Sequence, residues 1–388
     1  MRIVIAVLLS LAFTAVPALA TQLGQVASTM PARSWAKVTT INIGAVSQVF
    51  DAVLNTEPGY DDNQAWNSKK RRMMIQTASD PDRGGPWTQA FGLIQYDDDS
   101  NTWITGGPKP TTGRTVHAYD HVAWDDDNEV LYFRLANYGE NRVMRYCVNN
   151  TPSWCAGKAG TWSQLPANLP CFCQVAGGLT YHSALNGGTL LYFNGDSHGV
   201  NRGALFAYRE TTGTWTEITP PSGGYSNGDY HNLAEYSRVK QVAVYGGGNG
   251  SRNLWKISAS GAVTQLAAAP FEISLGGGNR SFVADPVSGN FILIGGTSAG
   301  QLYELNPDGG GTWTLIQNGL NGSNGICNVH WTAGVDCSGD FYGASNSTYG
   351  VIMYWKFTGP SSGELWLYKH SPTGPQNTPT QPPNLSVR

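Results

Sequence analysis

Charge is what this sequence has least of. Only 13% of its 388 residues are Asp, Glu, Lys or Arg, and the formal net charge is −3. With so little charge and 11% aromatic residues, the chain has the apolar surface to fold, which excludes disorder. The missing basic excess removes the electrostatic case for nucleic acid as a partner. Beyond residue 20 no apolar run approaches the roughly 20 residues of a membrane span. The Ala/Glu/Lys/Leu richness of helical bundles and coiled coils is absent as well. Cysteine is sparse, with six residues. Cys171-Phe172-Cys173 has one spacer and no His at finger spacing, a poor start for a zinc site.

What is plentiful is Gly (48), Tyr (18) and Trp (13), the mixture of short strands joined by tight turns. Residues 1–20 read as a secretory leader: Arg2, an apolar stretch over 3–16, and the small-x-small site Ala18-Leu19-Ala20. The mature chain is expected to start near Thr21, in a secreted or periplasmic setting that permits disulfides. Cys327 and Cys337 bracket a short loop and are expected to pair. Cys147, Cys155, Cys171 and Cys173 leave three pairings open.

A unit of about 50 residues recurs. Six second strands stand out, among them Val130-Leu-Tyr-Phe133, Leu190-Leu-Tyr-Phe193 and Phe291-Ile-Leu-Ile294. Four units close on Thr-Trp, at Trp103, Trp162, Trp215 and Trp313. The expected fold is all-β: a β-propeller of six four-stranded blades, with seven left open by the irregular stretch 325–340. The last unit lacks an outer Trp strand, and Ser34-Trp35-Ala36-Lys37-Val38 supplies one, so the N-terminal strand should close the ring. The propeller would span 33–371, followed by a Pro/Thr-rich tail over 372–388 that is extended or a linker.

Tyr245-Gly246-Gly247, Ile294-Gly295-Gly296 and the turn running from Tyr96 to Trp103 resemble the kelch repeat, and the whole is similar to the central propeller of the galactose oxidase superfamily. The resemblance implies a fold and little about function. Asn306-Pro307-Asp308-Gly309 with Thr312-Trp313 also resembles a sialidase Asp-box, read here as a structural turn. Residues 382–387 resemble the first strand of a fibronectin-type module.

Function is sought where the first strand of each blade meets the axis. Aligned by distance to the second strand, His121 and His182 fall at about one position and His231 about two residues earlier. Arg142, Arg202 and Arg252 end the loops between second and third strands, His198 stands in one of these loops, and Arg280 opens a first strand. Imidazoles with a rim of Arg suit an anionic ligand. His, Tyr and Arg together suit β-elimination on a uronic-acid glycan, and the arrangement is similar to secreted propeller polysaccharide lyases. In that reading His182 is base or carboxylate partner with His198 beside it, and Tyr230 or His231 is the acid. His121, Arg142, Arg202, Arg252 and Arg280 bind substrate. The partner would be an anionic polysaccharide and the protein a monomer. No metal or other cofactor is required, with structural calcium in the axial channel left open. Two further readings remain: a non-catalytic glycan- or protein-binding propeller, and a copper-radical oxidase. The last is suggested by Tyr181-His182 and Tyr230-His231, which resemble the Tyr-His ligand pair of that superfamily.

Overall fold

Helix α1 (Gln22–Thr29), strand β1 (Ser34–Val38) and helix α2 (Ile43–Leu54) open the described chain. The computed structural model describes residues 21–54, 64–76, 92–110, 120–135, 141–170, 177–195, 203–220, 222, 224–225, 227–228, 231–273, 281–296, 300–320, 325–327, 341–359 and 361–372. Short strands then follow in antiparallel fours. Blade one is β2 (Gln64–Asn67), β3 (Arg72–Ile75), β4 (Ile94–Asp97) and β5 (Thr102–Ile104). Blade two is β6 (Val122–Asp125), β7 (Val130–Arg134), β8 (Val143–Cys147) and β9 (Thr161–Gln164). Blade three is β10 (Gly178–His182), β11 (Thr189–Asn194), β12 (Ala204–Arg209) and β13 (Thr214–Ile218). Blade four is β14 (Asn232–Ser237), β15 (Val242–Gly247), β16 (Leu254–Ser258) and β17 (Val263–Gln265). Blade five is β18 (Ser281–Ala284), β19 (Phe291–Gly295), β20 (Gln301–Asn306) and β21 (Thr312–Asn318). Blade six is β22 (Phe341–Asn346), β23 (Val351–Gly359) and β24 (Ser362–Lys369), and β1 completes it by pairing with β24.

Each first strand touches the first strand of the next blade, and β22 touches β2, so the sheets form a closed ring of six. The expected six blades are all present, and the seventh that the stretch 325–340 left open has no strand among the described residues. Residues 328–340 lie outside them, as does Cys337, the expected partner of Cys327. Cys327 is itself disulfide-bonded. Cys147 pairs with Cys155 across a sequence separation of 8, which settles one of the pairings left open. Cys171 and Cys173 lie outside the described residues.

The core is not central. Six apolar clusters each lie between two neighbouring blades, as the geometry of radially stacked sheets requires. The seam between blades six and one is thickened by the two helices, which the repeat pattern did not anticipate. Leu23, Ala27 and Val46 join Trp66, Met73, Met353 and Trp355 there. Beyond β1 the chain crosses from blade six to blade one: Ile41 N donates to Asn101 O (2.9 Å) and Trp103 N to Ile41 O (3.0 Å).

The repeated Thr-Trp has a physical cause. Three of these Trp face an aromatic ring on the third strand, with centroids 5.3 Å apart for Tyr96–Trp103, 5.4 Å for Tyr146–Trp162 and 5.2 Å for Tyr208–Trp215, while Trp313 stands opposite Leu305. The indole N–H then reaches the segment leaving the preceding blade. Trp162 donates to Pro108 O (3.0 Å), Trp215 to Ala167 O (3.2 Å), Trp313 to Ala267 O (3.1 Å), and Trp103 to Thr40 Oγ1 (3.0 Å). Outer strand β17 carries no Trp, and Trp35 Nε1 is buried without a partner.

Replacing Trp162, Trp215 and Trp313 by Phe removes the donor, and at the first two positions keeps the ring stack. Each substitution should cost about 0.5–1.5 kcal/mol, adding across separate blades. Denaturant midpoints of the single and triple variants check this. A triple variant as stable as the parent would remove the inter-blade staple from the account.

Candidate functional site

The hairpins joining first to second strands set what faces the axis. In five blades the last inner residue caps the turn by accepting the backbone N–H three residues on. Asn67 accepts Lys70 N (2.9 Å), Asp125 accepts Asn128 N (3.1 Å), Ser237 accepts Lys240 N (3.2 Å), Asp285 accepts Ser288 N (2.8 Å) and Asn346 accepts Tyr349 N (3.1 Å). The residue after each turn is left-handed, with φ between 50° and 74° at Arg71, Glu129, Gln241, Gly289 and Gly350. Blade three has a longer connection containing a 3-10 turn at Leu185–Gly187. There the cap is His182, whose Nδ1 accepts Leu185 N (3.2 Å).

The longer hairpin undoes the expected alignment of the histidines. Val122 pairs with Phe133 and Gly178 with Phe193, which makes these equivalent rungs. His121 therefore precedes its rung by one residue, while His182 follows its own by four and ends β10. The two sit at opposite ends of the inner strands. His231 immediately precedes β14, on the His121 face. Arg142 and Arg252 stand just before the third strands β8 and β16, on that same face. His198, Tyr230, Arg202 and Arg280 lie outside the described residues.

His182 is fully buried, its ring 4.5 Å from that of Tyr236, and burial pushes its pKa down to about 4. His121 is equally buried. Its Nε2 is 3.2 Å from Arg134 Nη1, and burial together with that guanidinium holds its pKa well below the ordinary imidazole value. Arg134 in turn lies 4.9 Å above the Tyr192 ring. His231 is half-buried, adopts φ 62°, and its Nδ1 is 2.7 Å from Asn249 Oδ1. Arg252 is exposed, and its Nε donates to Ala269 O.

The sequence reading missed the feature that all six blades build together. An axial pocket of about 510 Å³ runs along the inner strands and reaches past their C-terminal ends, the end opposite His121. Polar side chains staple its wall from blade to blade. Asp120 Oδ2 accepts Ala234 N (2.6 Å), Glu235 Oε1 accepts Ala284 N (3.2 Å), and Gln64 Nε2 donates to Gly343 O (2.5 Å). Asp120 reaches blade four past Gly178, where a Cβ would sit 2.3 Å from the Leu233 carbonyl carbon; only glycine lets these strands come so close.

Carboxylates dominate the pocket's charge. Among the described residues, Asp120, Asp126, Glu235 and Asp285 line it against one guanidinium, Arg238. Arg238 is engaged at the mouth, Nη1 3.6 Å from Asp126 Oδ2 and Nη2 2.5 Å from Asp127 Oδ1. This pocket is thus negative, whereas the residues read from the sequence as an anion site stand at the channel's other end. Aromatic faces complete it: Trp124, whose indole N–H donates to Asp126 Oδ1 (3.1 Å), and Tyr236, whose hydroxyl is 3.0 Å from Ser183 Oγ.

Tyr181 and His182 do not form a ligand pair. Neighbours on one strand point to opposite sides. Tyr181 turns to Asp125 and the Tyr132 ring (5.8 Å), and His182 to its turn and Tyr236. Among the described residues no group of three or more His, Cys, Asp or Glu is arranged to hold a metal ion. No described helix is long and apolar enough to cross a membrane.

No protein-family model matches the chain, and no curated protein matches it in sequence. Among solved structures, a copper-bound fungal alcohol oxidase of the AA5 family is 10% identical, with TM-score 0.48, covering 87% of this chain and 77% of that one. TolB from Acinetobacter baumannii is 11% identical, with TM-score 0.42, covering 76% of this chain and 63% of that one. The six-bladed assignment rests on the strand pairing itself.

The buried imidazoles predict a pH dependence. Folded pKa values below the unfolded value of about 6.5 mean that the unfolded chain binds more protons. Stability should therefore fall as pH drops from about 6.5, by up to about 1.4 kcal/mol per pH unit for each imidazole, and His182's share ends near its folded pKa of about 4. His182→Asn, which keeps an acceptor for Leu185 N, should flatten the slope with little loss at pH 7. His182→Phe should lose about 1–3 kcal/mol at every pH, through the orphaned N–H. An unchanged slope in His182→Asn would show that His182 does not titrate this way.

Proposed function

We propose that the protein is a carbohydrate-binding propeller whose axial pocket receives a neutral or amino-bearing glycan. One observation carries this reading: a pocket of about 510 Å³, within the roughly 300–1,000 Å³ of small-molecule sites, where aromatic faces alternate with carboxylates. Sugar C–H faces pack on Trp124 and Tyr236. Hydroxyl or ammonium groups donate to Asp126 and Glu235, and Ser183 and Ser345 offer both donors and acceptors. The negative wall disfavours a carboxylated sugar here.

Isothermal titration against neutral, amino-bearing and uronic-acid oligosaccharides tests this. Trp124→Ala and Glu235→Gln should each weaken binding about tenfold, close to 1.4 kcal/mol. Binding of uronic-acid glycans alone, or affinity untouched by both substitutions, would remove the pocket from consideration.

The shared face of His121, His231, Arg142 and Arg252 supports a second reading, β-elimination on an anionic polysaccharide at the channel's other end. Arg252 would neutralise the uronate, and His231 would exchange the proton. Such activity would appear as absorbance of unsaturated uronate, lost in His231→Ala. A panel of ulvan, pectin, alginate and glycosaminoglycans giving no absorbance would count against it.

A further inference from the structure

Thr21, the first residue beyond the leader read from the sequence, sits across the seam between the first and last blades. Its hydroxyl donates to Asp98 Oδ2 (3.0 Å), lies 2.9 Å from the Tyr349 hydroxyl, and accepts Gly24 N (3.1 Å) as the N-cap of α1. Tyr349 also donates to Asp98 Oδ2 (2.5 Å). Asp98 belongs to the turn between β4 and β5 of blade one, and Tyr349 to the turn between β22 and β23 of blade six. Gly24 is wedged against Tyr349, where a Cβ would stand 2.8 Å from the ring.

Asp98 is under-compensated. It is 1% exposed, its Oδ1 has no hydrogen-bond partner, and burial raises its pKa. The nearest guanidinium, Arg71, is 4.0 Å away through Nε and is itself paired to Asp99. A buried carboxylate in this state calls for another donor or cation. The backbone nitrogen of Thr21 lies at most about 3.8 Å from its own Oγ1, by bond lengths and angles.

We propose that the chain is cut between Ala20 and Thr21 and that the α-ammonium so released is a structural group, the counter-ion of Asp98 that locks the ring's seam. Cleavage is hydrolysis by a leader peptidase. Water adds hydroxyl to the Ala20 carbonyl carbon and a proton to the Thr21 nitrogen, and the amine then protonates at neutral pH. Before the cut that nitrogen is an uncharged amide with a single hydrogen. Afterwards it is a cation with three donors, on the residue whose hydroxyl already donates to Asp98. Removal of the leader would thus complete the fold's closure.

Intact mass and N-terminal sequencing of the exported protein should give Thr21 as the first residue; a different start overturns the proposal. Chains beginning at Thr21 and at Ala20 are then compared by thermal melting, in the parent and in Asp98→Asn. The extra residue should lower the melting temperature by several degrees in the parent and by almost nothing in Asp98→Asn. An equal drop in both would mean that the extension acts by bulk and not through the ion pair. Should Asp98→Asn fail to fold, the α-amine decides: its titration by NMR should lie above the ordinary value of about 7.7–8.0. A value at or below that range overturns the pairing.

Discussion

A ring of sheets is complete only when its last interface closes. Each blade buries its two faces against two neighbours, so an open ring leaves two apolar faces in water. Here closure is made by β1 pairing with β24, which ties residues 34–38 to 365–369. Everything near that seam is reinforced. Two helices add apolar side chains to the interface, Lys369 Nζ donates to Ala27 O (3.0 Å), and Ser47 Oγ donates to Ser362 O (2.7 Å). The Thr21–Asp98–Tyr349 contact belongs to the same economy of reinforcement, since it joins turns of the two blades that sequence holds furthest apart.

The axial pocket follows from that closure. Six first strands converge without enough backbone pairing to join them, so side chains do the joining. Asp120, Glu235 and Gln64 spend polar groups on neighbouring backbones, and the channel is polar because of it. The carboxylates Asp120 and Glu235 therefore hold neighbouring blades together while lining the pocket. Substitutions there must be read for stability as well as for binding.

Much of the architecture was legible because it repeats. The Thr-Trp endings mark real outer strands in four blades, and Ser34-Trp35 marks the fifth, borrowed from the N-terminus. The reading failed where one blade departs from the rest. Distance to the second strand is a sound ruler only if hairpins share a length, and blade three has a longer one. A sharper signal was present: Asn67, Asp125, Ser237, Asp285 and Asn346 each precede a left-handed residue by four positions. His182 shares this pattern, since Asn186 (φ 51°) stands four positions on, so the longer hairpin keeps the same kind of turn cap. The two helices escaped notice because they stand outside the repeat, and α1 has no charge in its first or last turn to announce an end. The pocket's sign was hidden because channel carboxylates come from strands far apart in sequence, and only the ring brings them together.

The outer tryptophans give the ring a direction. Trp103, Trp162, Trp215 and Trp313 each grip the segment leaving the blade before them. This chain of clasps is interrupted twice, between blades three and four, where β17 offers no indole, and between blades five and six, where Trp35 Nε1 has no hydrogen-bond partner. The first of these plain joints lies on the side of the ring away from its natural seam. A circular permutant opened in the segment between β13 and β14, with the old termini linked, would break no clasp, whereas a cut beside Pro108, Ala167 or Ala267 would release one.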